Sequence, residues 1–215
     1  KIQRWIDSTG EFPPLESEDE YGVFVEKCYP LSEDRRRYFQ SLVEKAQPYI
    51  GYKLLILLAK SGLINTVWST NFDSLASKAA SASSVSITPI EVGLDTILRL
   101  KRQPTDDELY CVSLHGDYRY DALKNTKEEL TQDEALRKTL IDHLTNNNLI
   151  VCGYSGRDYS VMESLKTAFS RPGSGRLYWC GFEGEVPSGA INDLLKLARD
   201  NGREAFFIRT NGFDD

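Results

Sequence analysis

The chain lacks several features that would fix a function at once. No apolar run approaches the roughly 20 residues that a membrane-spanning helix needs, so a soluble protein without membrane contact is expected. No Cys-x-x-Cys pair occurs, and Cys28, Cys111, Cys152 and Cys180 are scattered. A zinc knuckle is thereby without ligands, and no metal is expected. The last three fall in strand-like apolar runs, where a free thiol behaves as a small buried hydrophobe; an intracellular, reducing, cytoplasmic setting follows. Basic charge is in deficit, 26 Lys and Arg against 32 Asp and Glu, for a net charge of −6. That balance, with a pI near 5.1, argues against a broad nucleic-acid-binding surface. A Walker lysine is missing, which disfavours nucleoside triphosphate hydrolysis through a phosphate loop. Neither end carries a signal peptide or lipidation motif. Because it opens at Lys1 and stops at Gly212-Phe213-Asp214-Asp215, the chain reads as a piece of something longer.

What is present is an ordinary globular composition: 215 residues, 40% apolar, 11% aromatic and 27% charged, enough for one core and read as one domain. Residues 1–62 read as a helical flank or cap. After the Pro13-Pro14 pair and the solvated acidic run Glu16 to Glu20, helices are expected from Glu20 to Cys28, from Ser32 (its N-cap) to Ala46, and from about Tyr49 to Lys60 before the Ser61-Gly62 stop. Arg35-Arg36-Arg37 reads as a solvated, amphipathic stretch. Residues 63–215 alternate strand-like and helical runs. Strands are expected at Ile64 to Trp68, Val85 to Ile87, Leu109 to Leu114, Leu149 to Cys152, Leu177 to Cys180 and Ala205 to Ile208. Helices are expected at Asp73 to Ala82, Asp133 to Leu144, Ser160 to Phe169 and Ile191 to Asn201, the second announced by the capping box Thr131-Gln132-Asp133-Glu134. Such alternation predicts an α/β, Rossmann-like, doubly wound and mainly parallel sheet, with Trp68, Trp179, Phe206 and Phe207 in its core. Lys101 to Asp107 reads as a polar loop.

Three motifs stand at the ends of strand-like runs, where open α/β sheets keep their ligand crevices. Leu149-Ile150-Val151-Cys152-Gly153-Tyr154-Ser155-Gly156 runs a strand into two glycines, after which Ser155 or Asp158 caps a helix. Free amides and the helix dipole there favour phosphate, although the same pattern also makes an ordinary turn. His115 precedes Gly116 at the end of its strand, and imidazole is the side chain suited to moving protons near neutrality. His143, inside a helix, reads as structural. Asn71 in Thr70-Asn71-Phe72-Asp73 either makes an Asx turn or helix cap, or supplies an amide that orients a water or a ribose hydroxyl beside the Asp73 carboxylate.

Thr70-Asn71-Phe72-Asp73, then Leu114-His115-Gly116-Asp117, then Gly153-Tyr154-Ser155-Gly156-Arg157-Asp158, at intervals of about 40 residues, resemble the sirtuin-like domain of bacterial antiphage defence proteins. The stretch Asp117 to Asn125 and Ser160-Val161-Met162 resemble the same branch. The resemblance implies an NAD glycohydrolase that releases nicotinamide and ADP-ribose and depletes NAD in abortive infection. It implies Asn71 and His115 as catalytic residues, and Thr70, Asp73, Gly153, Tyr154, Ser155, Gly156 and Asp158 as the NAD-binding set. NAD is then a substrate, and the partners implied are a sensor domain or subunit outside the chain and further copies in a homo-oligomer, the amino-terminal helices being a candidate surface. Two departures stand out. The four-cysteine zinc module of protein-deacylating sirtuins is missing, which disfavours acyl-lysine deacylation, and nothing before Ser8-Thr9-Gly10 resembles the family's first strand and glycine-rich phosphate loop. A non-catalytic NAD- or ADP-ribose-binding or assembly module is the alternative.

Overall fold

The computed structural model describes Ser8, Pro13, residues 20–116 and residues 134–214. Pro14, the acidic run up to Asp19, the stretch Asp117 to Asn125 and the Thr131 to Asp133 part of the capping box lie outside the described residues. The chain divides into two compact units, Lys1–Gln132 and Asp133–Asp215.

In the first unit helices α1 (Glu20–Cys28), α2 (Ser32–Val43) and α3 (Ile50–Lys60) precede the sheet. Ser32 does not cap α2: the extended Leu31 stands at the N-cap and makes no side-chain bond there. The helix also stops at Val43, short of the expected Ala46; Pro48 disfavours helical backbone at Gln47, four residues past that end. Arg35 is not solvated as expected. It is 5% exposed, because its guanidinium turns back to donate to the Tyr29 and Pro30 carbonyls at 3.1 and 3.0 Å, closing the turn between α1 and α2. Helix α3 ends where Gly62 takes a φ of +73°, a left-handed value that glycine adopts without strain.

The sheet of this unit holds β1 (Thr66–Ser69), β2 (Thr88–Val92) and β3 (Glu108–Ser113), all parallel, in the order β1-β3-β2. Helix α4 (Leu75–Ala82) links β1 to β2, and a 3-10 helix (Leu94–Lys101), kinked at Thr96, links β2 to β3. Ile56 and Ala59 of α3, Ala79 and Ala80 of α4, Ile87 and Leu109 form its core. The expected strand Val85 to Ile87 is displaced to Thr88–Val92. Ser83 Oγ accepts from the Val85 amide and the Val85 carbonyl from the Ile87 amide, so these apolar residues form a tight turn that fills the core rather than pairing.

The second unit holds α5 (Glu134–Leu144), β4 (Leu149–Val151), α6 (Tyr159–Phe169), β5 (Leu177–Phe182), α7 (Gly189–Asp200) and β6 (Ala205–Thr210). Its strands are parallel in the order β4-β5-β6. Trp179, Leu177 and Ala205 are buried in this unit with Leu194 and Phe169, but Phe206, expected in the core, is 40% exposed. The alternation along β6 puts it on the opposite side from Ala205, where its ring stacks on Tyr178 at 5.4 Å. The whole is an α/β fold of Rossmann-like type, parallel sheets with helical crossovers. No helix among the described residues is long and apolar enough to cross a membrane.

Candidate active site

In the first unit β1 and β3 lie side by side in register, Ser69 opposite Ser113, and the Leu114 amide donates to the Ser69 carbonyl at 2.8 Å. Asn71 and His115 each follow two residues later, so parallel pairing sets the asparagine loop beside the histidine loop at the carboxyl edge of the sheet. His115 is buried, 8% exposed, and Gly116 behind it turns the chain with a φ of +83°.

The loop that carries Asn71 is held from both sides. Ser69 Oγ accepts from the Asn71 amide at 3.1 Å. Next in sequence, Phe72 packs on Phe39 of α2 with ring centroids 4.9 Å apart, joining the cluster of Val25, Tyr38 and Phe39. The amino-terminal helices thus clamp the loop. Asp73, not Asn71, performs the local turn chemistry: its Oδ1 accepts from the Leu75 amide at 3.1 Å at the start of α4, while Ser74 stands left-handed at φ +52°. The exposed Asn71 side-chain amide makes no hydrogen bond to any described residue. Of the two readings its sequence left open, the Asx turn belongs to its neighbour.

In the second unit the chain leaves β4 into the glycine turn. Gly153 and Gly156 have φ of +65° and +74°. The first faces open space; a side chain on the second would meet Ile191, Met162 and Trp179. Tyr154 lies between them with its ring 5.8 Å from that of Trp179 and its hydroxyl donating to the Asp158 carbonyl at 3.3 Å. Burial of this phenol, with Asp158 nearby, raises its pKa well above the ordinary value and keeps it neutral. Ser155 is exposed and bonded to no described residue. Asp158 is the cap of α6: its Oδ1 accepts from the amides of Ser160 and Val161 at 2.9 and 3.2 Å and from the Ser160 hydroxyl at 2.8 Å. The helix amides expected to receive phosphate are therefore already satisfied by a carboxylate, and the amides open to an anion are those of the turn itself.

Cys152, expected as a buried thiol, is an exposed residue. It stands one residue past β4, whose last pair is Val151 with Trp179, and its free thiol interacts with the free thiol of Cys180 on β5. Desolvation first, then Cys180, pushes its pKa up to about 12. Among the described residues no group of three or more His, Cys, Asp and Glu side chains is placed to hold a metal ion.

A family model described as SIR2-like domain matches residues 65–204, from just before β1 to just before β6. The chain belongs to the SIR2-like domain family. Among curated proteins none matches it. The SIR2-like match takes in all three motifs and ties the chain to NAD-related chemistry. One feature of this SIR2-like chain escaped the sequence, the Phe72–Phe39 clamp, which depends on a contact 33 residues away. Of the two caps the sequence offered for α6, Ser155 and Asp158, the structure takes the second. The second had a readable signal, since Asp158 is followed two residues later by a serine whose amide and hydroxyl it binds.

Proposed function

We propose that this SIR2-like chain hydrolyses the nicotinamide–ribose bond of NAD. The pairing of β1 with β3, which sets the Asn71 loop beside the His115 loop, is the observation that supports this reading. Nicotinamide leaves with the electron pair of the broken C1′–N bond and becomes neutral, and the ribose is left with oxocarbenium character. Water, oriented by the Asn71 amide, adds to C1′; His115 takes the proton, and ADP-ribose is released. Asp73 and Thr70 line the nicotinamide end. Gly153, Tyr154, Ser155 and Gly156 serve the ADP-ribose side through the amides of their turn, with Asp158 holding the turn's exit. The chain acts as one SIR2-like domain, in the cytoplasm, as the NAD-depleting effector of an antiphage system whose sensor lies on another domain or subunit and whose active form is a homo-oligomer.

The test is nicotinamide release from NAD by the full-length parent with its activator. His115→Ala and Asn71→Ala are each expected to lower it by roughly a hundredfold or more, with the fold retained by circular dichroism. If both variants bind NAD as wild type does and none of the three proteins cleaves it, the chain is a nucleotide-binding or assembly module instead. Turnover of an acetylated peptide would move it to the deacylases.

A further inference from the structure

A second cleft, apart from the three motifs, opens on the β2 side of the first unit. It has a volume of about 980 Å³. Ser77 and Ser81 of α4 form one wall, Arg99 and Lys101 from the 3-10 helix the other, and the edge strand β2 lies between them with Ile90 and Glu91. Arg102, also in the wall, is committed to Glu108 through two bonds of 2.6 Å. Lys101 is different. It is exposed and forms no ion pair or hydrogen bond with any described residue.

What could occupy this cleft is limited by the strand edge. The Thr88 amide donates to the Asp107 carbonyl on the β3 side, so alternation turns Thr88, Ile90 and Val92 inward and Pro89 and Glu91 outward. Pro89 has no N–H to offer, and the Glu91 carbonyl already accepts from Arg99 Nη1 at 2.6 Å. An extended peptide cannot add to such an edge as a further strand. A compact ligand fits the remaining chemistry. The same bond that seals the edge holds the Arg99 guanidinium over the cleft with the rest of its fork bonded to no described residue, and Lys101 adds a second cation in a chain of net charge −6. Leu98, 66% exposed, gives an apolar rim. At the far side the Ser81 hydroxyl, bonded to no described residue, can meet ligand hydroxyl or amino groups, beside the Glu91 carboxylate that accepts the Ser77 hydroxyl at 2.6 Å.

We infer that this cleft is a second small-molecule site, for a nucleoside phosphate, with the phosphates on Arg99 and Lys101 and the nucleoside between Leu98 and the Glu91–Ser81 side. It is distinct from the NAD residues and stands or falls separately from the hydrolase reading. Guanidinium and ammonium groups recognise phosphate by charge-assisted hydrogen bonds, and the Ser81 hydroxyl with an apolar rim suits a sugar and base.

The test is calorimetric titration of the full chain with ADP, with pyrophosphate and with adenosine. Each is repeated on Lys101→Glu, a change at a side chain with no described partner to lose, and on Gly153→Val, which alters only the turn of the other unit. ADP is expected to bind wild type and Gly153→Val alike and Lys101→Glu about tenfold or more weakly. Pyrophosphate is expected to bind more weakly than ADP, adenosine more weakly still, and rising salt to weaken ADP. Absence of ADP binding overturns the inference. So does equal binding by wild type and Lys101→Glu, or loss of binding in Gly153→Val alone, which would place the nucleotide on the NAD turn. None of these outcomes depends on NAD cleavage.

Discussion

A side chain at Gly156 would bring its Cβ to 3.3 Å from Ile191 Cγ1 and 3.5 Å from Met162 and Trp179, on a residue whose φ is +74°. Gly153 has a similar φ of +65° but nothing within 4 Å. The two glycines thus separate backbone strain from packing. Left-handed backbone costs an alanine about 1 kcal/mol, so Gly153→Ala is expected to lower stability by about that much, and Gly156→Ala by about 2 kcal/mol or more once crowding is added. Denaturant midpoints measured side by side would show it; equal losses would mean that the Gly156 neighbours yield freely. The thiol next to this turn is a second test at the same scale. Cys152 is exposed, which by itself suggests a reactive group, yet desolvation and Cys180 push its pKa up to about 12. Only the thiolate is nucleophilic. Alkylation of Cys152 by iodoacetamide at pH 8 is therefore expected to be slower than that of glutathione by roughly a hundredfold or more, as peptide mass spectrometry would read; a rate like glutathione's would refute it.

At the scale of elements, helix α6 is governed by the single carboxylate at its start. Asp158 satisfies two amides and a hydroxyl, and removing such a cap costs about 1 kcal/mol. Asp158→Ala is expected to lose that stability and Asp158→Asn, also a good cap, to recover most of it. KM for NAD distinguishes a cap from a ligand: if Asn restores stability and KM together, Asp158 acts by holding the turn, whereas stability restored without KM would mean direct contact with NAD. Arg203 plays the matching part at the other end of this unit. Its guanidinium, 3% exposed, donates to the Leu144 carbonyl at the end of α5, to the Ala168 and Arg171 carbonyls at the end of α6, and to Gly175. A cation there sits at the negative ends of two helix dipoles, and its Cζ lies over the Phe169 ring, 4.6 Å from the centroid.

Much of this was readable at the level of elements. Buried strands such as Leu109 to Ser113 announce themselves as apolar runs, and most helix limits fall within two residues of expectation because Gly62, Ser188 and Asp158 act as local stops and caps. Where the reading slipped, a distant contact had overruled a local pattern. The strand β2 carries Pro89 and Glu91, tolerable because it is an edge, whereas the more strand-like Val85 to Ile87 is a core-filling turn. The site motifs were visible because glycine, histidine and asparagine at strand ends are unusual residues in unusual places. What the sequence could not show is which side chains were already engaged: Asp73 and Asp158 look like ligands on paper but spend an oxygen each on backbone amides, while Asn71 does not.

For the molecule as a whole, two titrating groups set opposite ends of the acid response. His143, half-buried in α5, has its pKa lowered by desolvation, so the unfolded chain takes up a proton on this residue at a higher pH than the folded one. Stability rises with pH wherever the unfolded state binds more protons; the His143 contribution is present above its ordinary value near 6.5 and is lost as pH falls below it. Glu108 behaves in the same sense but much lower. The hydrogen bond from Arg102, then that from Thr105, bring its pKa from 4.5 down to about 2, so its contribution is intact above 4.5 and fades between there and about 2. Near the ordinary histidine value the unfolded chain takes up its His143 proton while Glu108 stays charged. His143→Gln is therefore expected to flatten the fall in denaturant stability from pH 7 to 5 and to leave the loss below pH 4.5 in place, while Glu108→Gln does the reverse. A His143→Gln protein that kept the wild-type slope from pH 7 to 5 would show that the proton is taken up elsewhere.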